Sequence, residues 1–350
     1  MELLKLTSLN LQEKKVLVRM DFDLPAGRQV SGGLDTSRIE SSKETLDYLL
    51  SQNAKLILIG HKGRPEGKPS GELSLASLVE PLKQIVGRDV EFFYSLIGAE
   101  TTDKVNQMQP GQVILLENLR FDPREEANDE GFARELASLA DFYVNESFAV
   151  SHRAHASIVG IPEQFKSKSK DSVAAGFRFA KEIEVLSKLR ENPERPLITL
   201  LSGVKEDKLD YLEPFKQFSD EVLVSGRLPE YLGDEFKDEK VVVAKLMPDK
   251  EDITINSIEK FEGEVTKAKT ILVAGPIGKY EEEGHRQGTM RVFTSVANSS
   301  AYKIAGGGDT EEALTVCGVK EKFDWVSVGG GAMLEFLAKG TLPGLEALTV

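Results

Sequence analysis

Short apolar segments alternate with longer amphipathic segments along almost the whole of the 350-residue chain. Apolar runs of this kind, bounded by turn residues, are typical of strands buried on both faces of a parallel sheet. Because successive parallel strands need crossover connections, the alternation predicts an α/β fold built from right-handed strand–helix–strand units. The predicted strands are 15–20, 55–60, 112–119 and 141–148 in the first half, and 196–203, 220–226, 240–246, 269–275, 302–308 and 324–331 in the second.

The segments between the predicted strands show the periodicity of apolar residues that is typical of amphipathic helices. Residues 37–52 carry apolar side chains near one helical face, and residues 123–140 begin with Pro123 and acidic residues that suit a helix N-terminus. A long helix is predicted within 172–192, after which ENPERP interrupts the pattern. We therefore predict two Rossmann-like parallel-sheet lobes joined by a long helix, with the N-terminal lobe at 1–170, the interdomain helix at 171–192 and the C-terminal lobe at 193–335.

Composition excludes several classes of protein. The excess of 57 acidic over 44 basic residues gives a formal net charge of −13, which argues against a general nucleic-acid or anionic-membrane surface. The single cysteine, Cys317, excludes an internal disulfide and a cysteine-based zinc cluster. The N-terminal residues lack a signal-peptide pattern, and no segment reaches the roughly 18 apolar residues of a membrane span, so we expect a cytoplasmic protein.

Basic side chains follow the predicted strands of the first half. In open parallel sheets ligands bind beyond the carboxyl ends of the strands, so these positions form a candidate site. The planar guanidinium group matches the oxygens of carboxylates and phosphates, and four separate strand ends supply arginine or histidine. The sequence therefore predicts a pocket for an anion with phosphate and carboxylate groups. Its candidate residues are Arg19, Asp21 and Asp23, then His61 and Arg64, then Arg120, and finally His152, Arg153 and His155.

Triple glycines follow two predicted strands of the second half, in GGGD (306–309) and GGGA (329–332). Glycines at such positions let backbone N–H groups approach a ligand, and the N-terminus of the helix that follows favours negative charge. Asp309 is a candidate Mg²⁺ ligand, a helix N-cap, or both. Lys205 and Lys208 follow another strand, in SGVKEDK. The pattern predicts a phosphate site that is not a Walker motif, since G-x-x-x-x-G-K-[ST] is absent.

In this order, VLVRMDFDLP, LILIGHKGRPEG, VILLENLRFDP, SHRAHAS and the two GGG segments resemble the phosphoglycerate kinase family, and the resemblance spans nearly the whole chain. It implies that 3-phosphoglycerate binds the N-terminal lobe and nucleotide the C-terminal lobe, that a hinge cleft closes between them, and that residues 336–350 return to the first lobe. The implied reaction is reversible phosphoryl transfer between 1,3-bisphosphoglycerate and ADP, giving 3-phosphoglycerate and ATP. The resemblance further implies Mg²⁺, carried as Mg-ADP or Mg-ATP, and a cytoplasmic monomer of glycolysis that binds neither nucleic acid nor membrane.

The resemblance also implies roles for individual residues. The substrate-binding residues would be Asp21, Asp23, Arg38, His61, Arg64, Arg120 and Arg153. The catalytic residues would be Arg38, Lys205, Gly308 and Gly331. The nucleotide would be bound by Gly203, Lys205, Lys208, Glu281, Gly306, Gly307, Gly308, Asp309, Thr310 and Gly330, with Asp309 also binding the metal.

The sequence departs from the family pattern at several places. Asp23 stands where the family usually has asparagine, and an additional carboxylate near an anion is unfavourable unless it is protonated or turned away. In the second half RLPEYLG replaces a glycine-rich stretch, and the segment 227–268 is shortened. An alternative is therefore a phosphoglycerate-binding paralogue with altered nucleotide specificity or lost catalysis. A dinucleotide-dependent dehydrogenase is disfavoured, because no G-x-G-x-x-G follows the first strand.

Overall fold

A computed structural model describes residues 3–23, 29–30, 33–34 and 36–349, with the backbone alone at 29–30 and 33–34. The described chain divides into two compact units. Unit 1 contains the residues up to Ile183 together with those from Leu342 onward, and unit 2 contains Glu184–Thr341. In the part of the chain that the structure describes, every helix is too short or too polar to cross a bilayer.

Unit 1 is built on a six-stranded sheet in which every pairing is parallel. Its spatial order is β5-β6-β4-β1-β7-β8, so the order of connection reverses between β1 and β7. The strands are β1 (Lys15–Arg19), β4 (Lys55–Ile59), β5 (Val90–Phe93), β6 (Val113–Leu116), β7 (Phe142–Asn145) and β8 (Val173–Ala175), and β2 (Gln29–Val30) pairs antiparallel with β3 (Gly33–Leu34). The helices are α1 (Ser37–Glu40), α2 (Lys43–Ser51), α3 (Val79–Val86), α4 (Ala99–Asn106), α5 (Glu130–Ala137), α6 (Ile161–Lys168) and α14 (Pro343–Leu348).

The predicted strands of the first half are confirmed, whereas the edge strands β5 and β8 were missed because each is short and adjoins a helical pattern. The helix predicted at 37–52 is interrupted at Ser41 and Ser42, which separate α1 from α2. The helix predicted from Pro123 begins only at Glu130. Asn128 adopts a left-handed conformation (φ 51°), and the Asp129 side chain accepts a hydrogen bond from the N–H of Phe132 at 2.8 Å, as an N-cap does.

Unit 2 is built on a second six-stranded parallel sheet, in the order β11-β10-β9-β12-β13-β14. The chain runs outward in one direction from β9 and then in the other direction from β12, so a switch point lies between these two strands. The strands confirm the prediction and are β9 (Leu197–Gly203), β10 (Glu221–Gly226), β11 (Val241–Val243), β12 (Thr270–Ala274), β13 (Tyr302–Gly306) and β14 (Trp325–Ser327). The helices are α8 (Leu212–Phe218), α9 (Leu228–Leu232), α10 (Ile255–Val265), α11 (Gln287–Asn298), α12 (Gly308–Val316) and α13 (Gly330–Lys339).

A 15-residue helix, α7 (Phe177–Glu191), contains the boundary between the units. It begins later than the predicted 171–192, because the residues before it pair with β7 as strand β8. Each sheet has its own apolar core: Leu46, Leu58 and Leu82 are fully buried in unit 1, and Phe261 and Phe293 in unit 2. The architecture is thus two α/β units, as the alternation of the sequence predicted.

The C-terminal residues belong to unit 1. Helix α13 extends to Lys339 and lies in unit 2, so the chain enters unit 1 at Leu342, not at 336. The N–H of Gly344 then donates to the Ser151 carbonyl at 2.9 Å, and Lys166 Nζ donates to the Thr349 carbonyl at 3.2 Å. Which ligand each unit binds, and the hinge cleft, stay predictions at this stage.

Candidate active site

Arg19 is the last residue of β1, beside the switch point of the unit 1 sheet, and its side chain is fully buried. The guanidinium group donates hydrogen bonds to Ser157 Oγ at 2.9 Å and to Ser147 Oγ at 3.3 Å, and it also donates to the Met20 carbonyl. A buried ion needs such partners, because removing it from water costs several kcal/mol. Arg19 is therefore an interior residue beside the predicted site, not a group exposed at its edge.

Glu125 supplies the negative charge that accompanies Arg19. Its carboxylate is fully buried and accepts hydrogen bonds from the N–H of Ser157 at 2.9 Å and from the Ser157 hydroxyl at 2.6 Å. Burial raises the pKa of Glu125, and the charge of Arg19 opposes that rise. The sequence analysis missed this pair, since Arg19 and Glu125 are distant along the chain and Glu125 stood in a predicted helix N-terminus.

His61 follows β4 and is buried. Its Nδ1 lies 2.9 Å from Arg19 Nη2, and because a guanidinium can only donate, Nδ1 accepts and the ring proton resides on Nε2. Burial, assisted by the positive charges of Arg19 and Arg120, lowers the pKa of His61 well below its ordinary value. At neutral pH the ring is therefore an uncharged hydrogen-bond donor through Nε2.

Arg38 of α1 pairs with Asp21, which follows β1. Arg38 Nη1 lies 3.2 Å from Asp21 Oδ2 and donates to the Asp23 carbonyl at 2.9 Å. Burial raises the pKa of Asp21 above its usual value, although Arg38 and Arg19 favour its charged form. The arrangement fixes the guanidinium of Arg38 beside the end of β1.

The Asp23 carboxylate is held by the loop that follows β4. Its Oδ1 accepts a hydrogen bond from the N–H of Gly63 at 2.8 Å, and its Oδ2 lies 3.7 Å from His61 Nε2. The backbone N–H of Gly63 therefore accommodates the additional carboxylate that the sequence analysis found unfavourable near an anion, and the His61 ring lies beside it.

Arg120 follows β6 and is buried. The Asn118 side chain accepts from the Arg120 N–H at 3.1 Å, while Arg120 Nη1 donates to the Gly63 carbonyl at 2.8 Å and its Nε lies 3.1 Å from Glu126 Oε1. Burial lowers the pKa of Arg120, and the charges of Arg19 and Arg153 add to this effect. The same loop thus connects Arg120 to Asp23 through Gly63.

Arg153 and His155 follow β7 and lie close to Arg120. Burial lowers the pKa of His155 to about 4, and the positive charges of Arg120 and Arg153 contribute to this shift. Arg153 Nε also donates to His152 Nε2 at 3.4 Å. The residues that follow β4, β6 and β7 therefore lie close enough together at one edge of the sheet for their charges to interact.

Arg64 differs from the other predicted residues of this edge. It is exposed, and it makes no hydrogen bond or ion pair with the residues that the structure describes. The structure therefore brings together all the predicted substrate-binding side chains except Arg64: Asp21, Asp23, Arg38, His61, Arg120 and Arg153.

Unit 2 contains a cavity of about 650 Å³ at the carboxyl ends of β9, β10, β12, β13 and β14, around its switch point. Most of the residues predicted to bind nucleotide line this cavity. They are Gly203, Lys208, Glu281, Gly306, Gly307, Gly308, Asp309, Thr310 and Gly330, together with the predicted catalytic Gly331.

The two glycine loops meet at the wall of the cavity. Gly307 has a positive φ of 107°, and a Cβ added to Gly330 would lie 2.6 Å from the Cα of Gly307. Helix α12 begins at Gly308 and helix α13 at Gly330, so the first N–H groups of both helices lie beside the cavity. The helix dipole and the N–H groups of the first turn make helix N-termini common binding sites for phosphate.

Lys208 lies in the base of the cavity. Its Nζ donates to the carbonyl of Ala274 at 3.0 Å and to that of Ser202, at the ends of β12 and β9. Burial lowers the pKa of Lys208 to about 8, while the charge of Asp309 favours its protonated form. A Cβ at Gly203 would lie 2.6 Å from Lys208 Cδ, which explains the glycine there.

Lys205, for which nucleotide-binding and catalytic roles were predicted, does not line the cavity. Its side chain is exposed, directly before the short helical segment Glu206–Tyr211. The N–H of Lys208 donates to the Lys205 carbonyl at 3.3 Å, and this turn brings Lys208 to the strand ends while Lys205 remains outside.

Asp309 lies in the first turn of α12 and is exposed at the cavity. Among the described residues, no group of three or more histidine, cysteine or acidic side chains is arranged to hold a metal ion by itself. Mg²⁺ is commonly bound by one or two carboxylates together with substrate phosphates and water. A single carboxylate beside phosphate-binding loops fits that mode of binding.

Charged residues line the opposite end of the cavity, and the sequence analysis did not identify them. They are Arg227, Lys250, Glu251 and Lys279, and Arg227 directly follows β10. Arg227 was noted only as part of RLPEYLG, where no motif signalled a ligand contact.

A two-unit α/β protein with an arginine-rich strand edge on one unit and a glycine-lined cavity at two helix N-termini on the other has the features of a phosphotransferase. The sequence model of the phosphoglycerate kinase family matches residues 6–233 and 230–340, and the chain belongs to this family. It is 36% identical to the phosphoglycerate kinase of Finegoldia magna over 98% of both chains, and 36% identical to that of Moorella thermoacetica over 99% of both.

Solved structures of phosphoglycerate kinases are similar over the same extent. The structure from Coxiella burnetii has a TM-score of 0.81 and 28% identity, covering 99% of both chains, and that from Pyrococcus horikoshii has a TM-score of 0.81 and 26% identity, covering 98% of both. The protein is thus a phosphotransferase of the two-unit fold shared by these enzymes.

The comparison also bears on the shortened second half. The alignment with the Finegoldia magna enzyme extends over 395 positions although this chain has 350 residues, so at least 45 positions have no counterpart here. The family model matches in two parts, 6–233 and 230–340, which overlap at residues 230–233, within helix α9 and at its end. This overlap lies in the segment that follows Arg227.

Proposed function

We propose that the protein transfers a phosphoryl group reversibly between 1,3-bisphosphoglycerate and ADP, giving 3-phosphoglycerate and ATP. The observation that carries the proposal is the occurrence, in one chain of this family, of an arginine-rich strand edge and a glycine-lined cavity at two helix N-termini. The first suits a small acid that bears phosphate and carboxylate groups, and the second suits the phosphates of a nucleotide.

In unit 1 the anionic groups of phosphoglycerate bind Arg120 and Arg153, whose planar guanidinium groups match carboxylate and phosphate oxygens. The assignment of Arg64 to the same ligand rests on the resemblance to the family, since its side chain is exposed. His61 donates through Nε2, because its Nδ1 is occupied by Arg19. The one hydroxyl group of the substrate donates its hydrogen bond to Asp21 or Asp23.

In unit 2 the nucleotide phosphates bind the N–H groups of Gly306, Gly307, Gly308 and Gly330, assisted by Lys208. Thr310 supports this loop, because its hydroxyl donates to the Gly306 carbonyl at 2.9 Å. Gly203 leaves space beside the phosphates, and Glu281 accepts hydrogen bonds from the ribose. Asp309 holds Mg²⁺, which arrives with ADP or ATP and neutralises part of the phosphate charge.

In the transfer step the oxygen of the ADP β-phosphate bonds to phosphorus as the bond from phosphorus to the acyl oxygen breaks. The products are ATP and the carboxylate of 3-phosphoglycerate, so the step needs no general base. Negative charge on the moving phosphoryl oxygens is stabilised by Arg38, Lys205 and the N–H groups of Gly308 and Gly331. Since Lys205 is exposed in this structure, its assignment rests on the resemblance to the family alone.

The test is a coupled assay of ATP formation by the full-length protein with ADP and 1,3-bisphosphoglycerate. A matched control is Arg134→Ala, which removes an exposed arginine that pairs with Glu130 on the surface of α5. We expect turnover by the wild type and by this control. Phosphoglycerate binding by calorimetry without turnover would contradict the proposal and favour a binding paralogue that has lost catalysis.

That alternative is not favoured, because full-length relatives of the chain are phosphoglycerate kinases and the cavity retains its glycine loops. The proposal places the reaction in glycolysis, in the cytoplasm, and assigns it to a monomer. Size-exclusion chromatography with light scattering, at assay concentration, would test the oligomeric state.

A further inference from the structure

The cavity of unit 2 has two chemically different ends. The glycine loops and both helix N-termini follow β13 and β14, whereas Arg227 follows β10. Neighbouring strands lie about 4.8 Å apart, so β10 is about 14 Å from β13 across β9 and β12. A nucleoside diphosphate bound by its phosphates at the glycine loops therefore extends its nucleoside toward Arg227. This placement rests on the function proposed above.

The backbone of Arg227 is fixed at the edge of the cavity. Its N–H donates to the Gly203 carbonyl at 2.8 Å, and the preceding residue, Gly226, has a positive φ of 66°. The N–H of Gly226 in turn donates to the Ile277 carbonyl at 3.1 Å. The Cα of Arg227 is thus held between the carboxyl ends of β9 and β10, at the wall of the cavity.

The guanidinium group of Arg227 is oriented by Glu230, one turn along α9. Arg227 Nε lies 2.7 Å and Nη2 3.5 Å from the two carboxylate oxygens, so the carboxylate pairs with one edge of the planar group. Lys250 Nζ lies 2.8 Å from the same carboxylate. These partners lower the pKa of Glu230 to about 2, so it stays ionised and the pairing persists at neutral pH.

An edge-on ion pair leaves the faces of the guanidinium plane available. The side chain of Arg227 is 45% exposed, and the residue lines the cavity. Guanidinium planes stack on nucleobases, and such stacking tolerates every base because every base has a π face. By contrast, a charge held against a carboxylate is poorly placed to bind phosphate directly.

We propose that Arg227 stacks on the nucleobase of the bound nucleotide and that Glu230 positions it, so that helix α9 forms the base-binding wall of the cavity. In the sequence this helix lies in RLPEYLG, which stands where the family pattern has a glycine-rich stretch. Stacking contacts only the face of a base and not its hydrogen-bonding edge, so adenine and guanine nucleotides are bound with similar affinity.

Calorimetry on the full-length protein with three probes, Mg-ADP, Mg-GDP and inorganic pyrophosphate, tests the proposal. Pyrophosphate occupies only the phosphate end. For Arg227→Ala we expect about tenfold weaker binding of both nucleotides and less than twofold change for pyrophosphate, since stacking contributes about that much per base. In the wild type the affinities for ADP and GDP should agree within about threefold.

Two further variants separate stacking from charge and from folding. Arg227→Lys retains the ion pair with Glu230 but lacks the planar group, and should weaken nucleotide binding as Arg227→Ala does. Arg291→Ala removes another arginine of unit 2 that is paired with a glutamate, Glu262, outside the cavity, and should leave all three affinities unchanged.

An equal loss of pyrophosphate and nucleotide binding in Arg227→Ala would overturn the proposal and make Arg227 a phosphate ligand. Unchanged nucleotide binding in both Arg227 variants, or a preference above tenfold for one purine, would also overturn it. In each of these cases the wild type still binds nucleotide and turns over. Failure of the wild type to bind any nucleotide would instead contradict the proposed function itself.

Discussion

The two units present their candidate sites by different physical means. In unit 1 the candidate binding groups are side chains, and buried charged residues lie behind them: Arg19 donates to His61, and Glu125 lies near Arg19. In unit 2 the groups are mainly backbone N–H donors at two helix N-termini, where glycines keep the space open.

This difference determines what each site depends on. A site made of side chains requires its charged groups to be buried, hydrogen-bonded and correctly oriented. Loss of one of the supporting ion pairs should therefore damage it most. A site made of backbone donors requires only the right loop conformation and open space beside it. It should therefore be most sensitive to a substitution that adds atoms to the loops. The first suits recognition of one small acid, and the second suits the phosphates common to all nucleotides.

The largest expected effect concerns Arg38, which we assign to the transferred phosphoryl group. Arg38→Ala should lower kcat by about 10³-fold, because an arginine at the moving charge acts mainly in the transition state. The KM for 3-phosphoglycerate should change by less than about fivefold. Steady-state kinetics in the direction of ATP consumption measures both values, and a raised KM with normal kcat would make Arg38 a ground-state binding residue.

The next effect tests the buried charges of unit 1. Arg19→Met should lower the free energy of unfolding of this unit by about 3 kcal/mol, since it leaves the Glu125 carboxylate buried without its cation. The chain's one tryptophan, Trp325, lies in unit 2, so its fluorescence follows that unit while far-UV circular dichroism follows both. In a urea titration of Arg19→Met, circular dichroism should show an unfolding transition at a lower urea concentration, and tryptophan fluorescence should not show it.

Arg134→Met provides the control for that experiment, because Arg134 is 64% exposed and its loss should change stability by less than about 0.5 kcal/mol. Equal shifts in both signals for Arg19→Met would mean that the two units unfold together and that the comparison of their stabilities does not hold.

The third effect tests the open space of unit 2. Gly330→Ala places a Cβ 2.6 Å from the Cα of Gly307 and should separate the two glycine loops. We expect about 30-fold weaker ADP binding and unchanged phosphoglycerate binding, as loss of about 2 kcal/mol from phosphate hydrogen bonds implies. Gly284→Ala is the matched control, because a Cβ there meets no atom within 4 Å. Normal ADP affinity in Gly330→Ala would show that the loops do not bind phosphate.

Most strands, and the positions that follow them, were predictable from the sequence, because apolar runs and glycines act locally. The helix starting at Pro123 was wrong, since Asp129 caps the helix more effectively than proline and the acidic residues begin it. The edge strands β5 and β8 were missed because each acquires its identity from a neighbouring strand.

Within the candidate sites, sequence reasoning located the charged residues and glycines that follow the strands better than the groups that support them. Glu125 and Ser157 carry no motif, and the hydrogen bonds that link Arg19 to Ser157 and Ser157 to Glu125 exist only after the sheet has formed. The inward turn of Lys208 and the exposure of Lys205 depend on one helical turn, which spacing alone did not reveal. Arg227 was overlooked because it stands where the family pattern is lost.

The smallest effect separates the units by pH. In the protein without ligand, burial lowers the pKa of Lys208 to about 8. Nucleotide phosphates bound beside it should raise that pKa. Nucleotide binding therefore takes up a proton, so ADP affinity is greatest below pH 8 and falls as the pH rises through 8, by about tenfold from pH 7 to pH 9. Calorimetry in buffers of different ionisation enthalpy measures this uptake, and Lys208→Gln should abolish it. Phosphoglycerate affinity should change by less than threefold over the same range, because the arginines of unit 1 stay charged and His61 stays neutral. A fall of equal size for both ligands would assign the titration to a group other than Lys208.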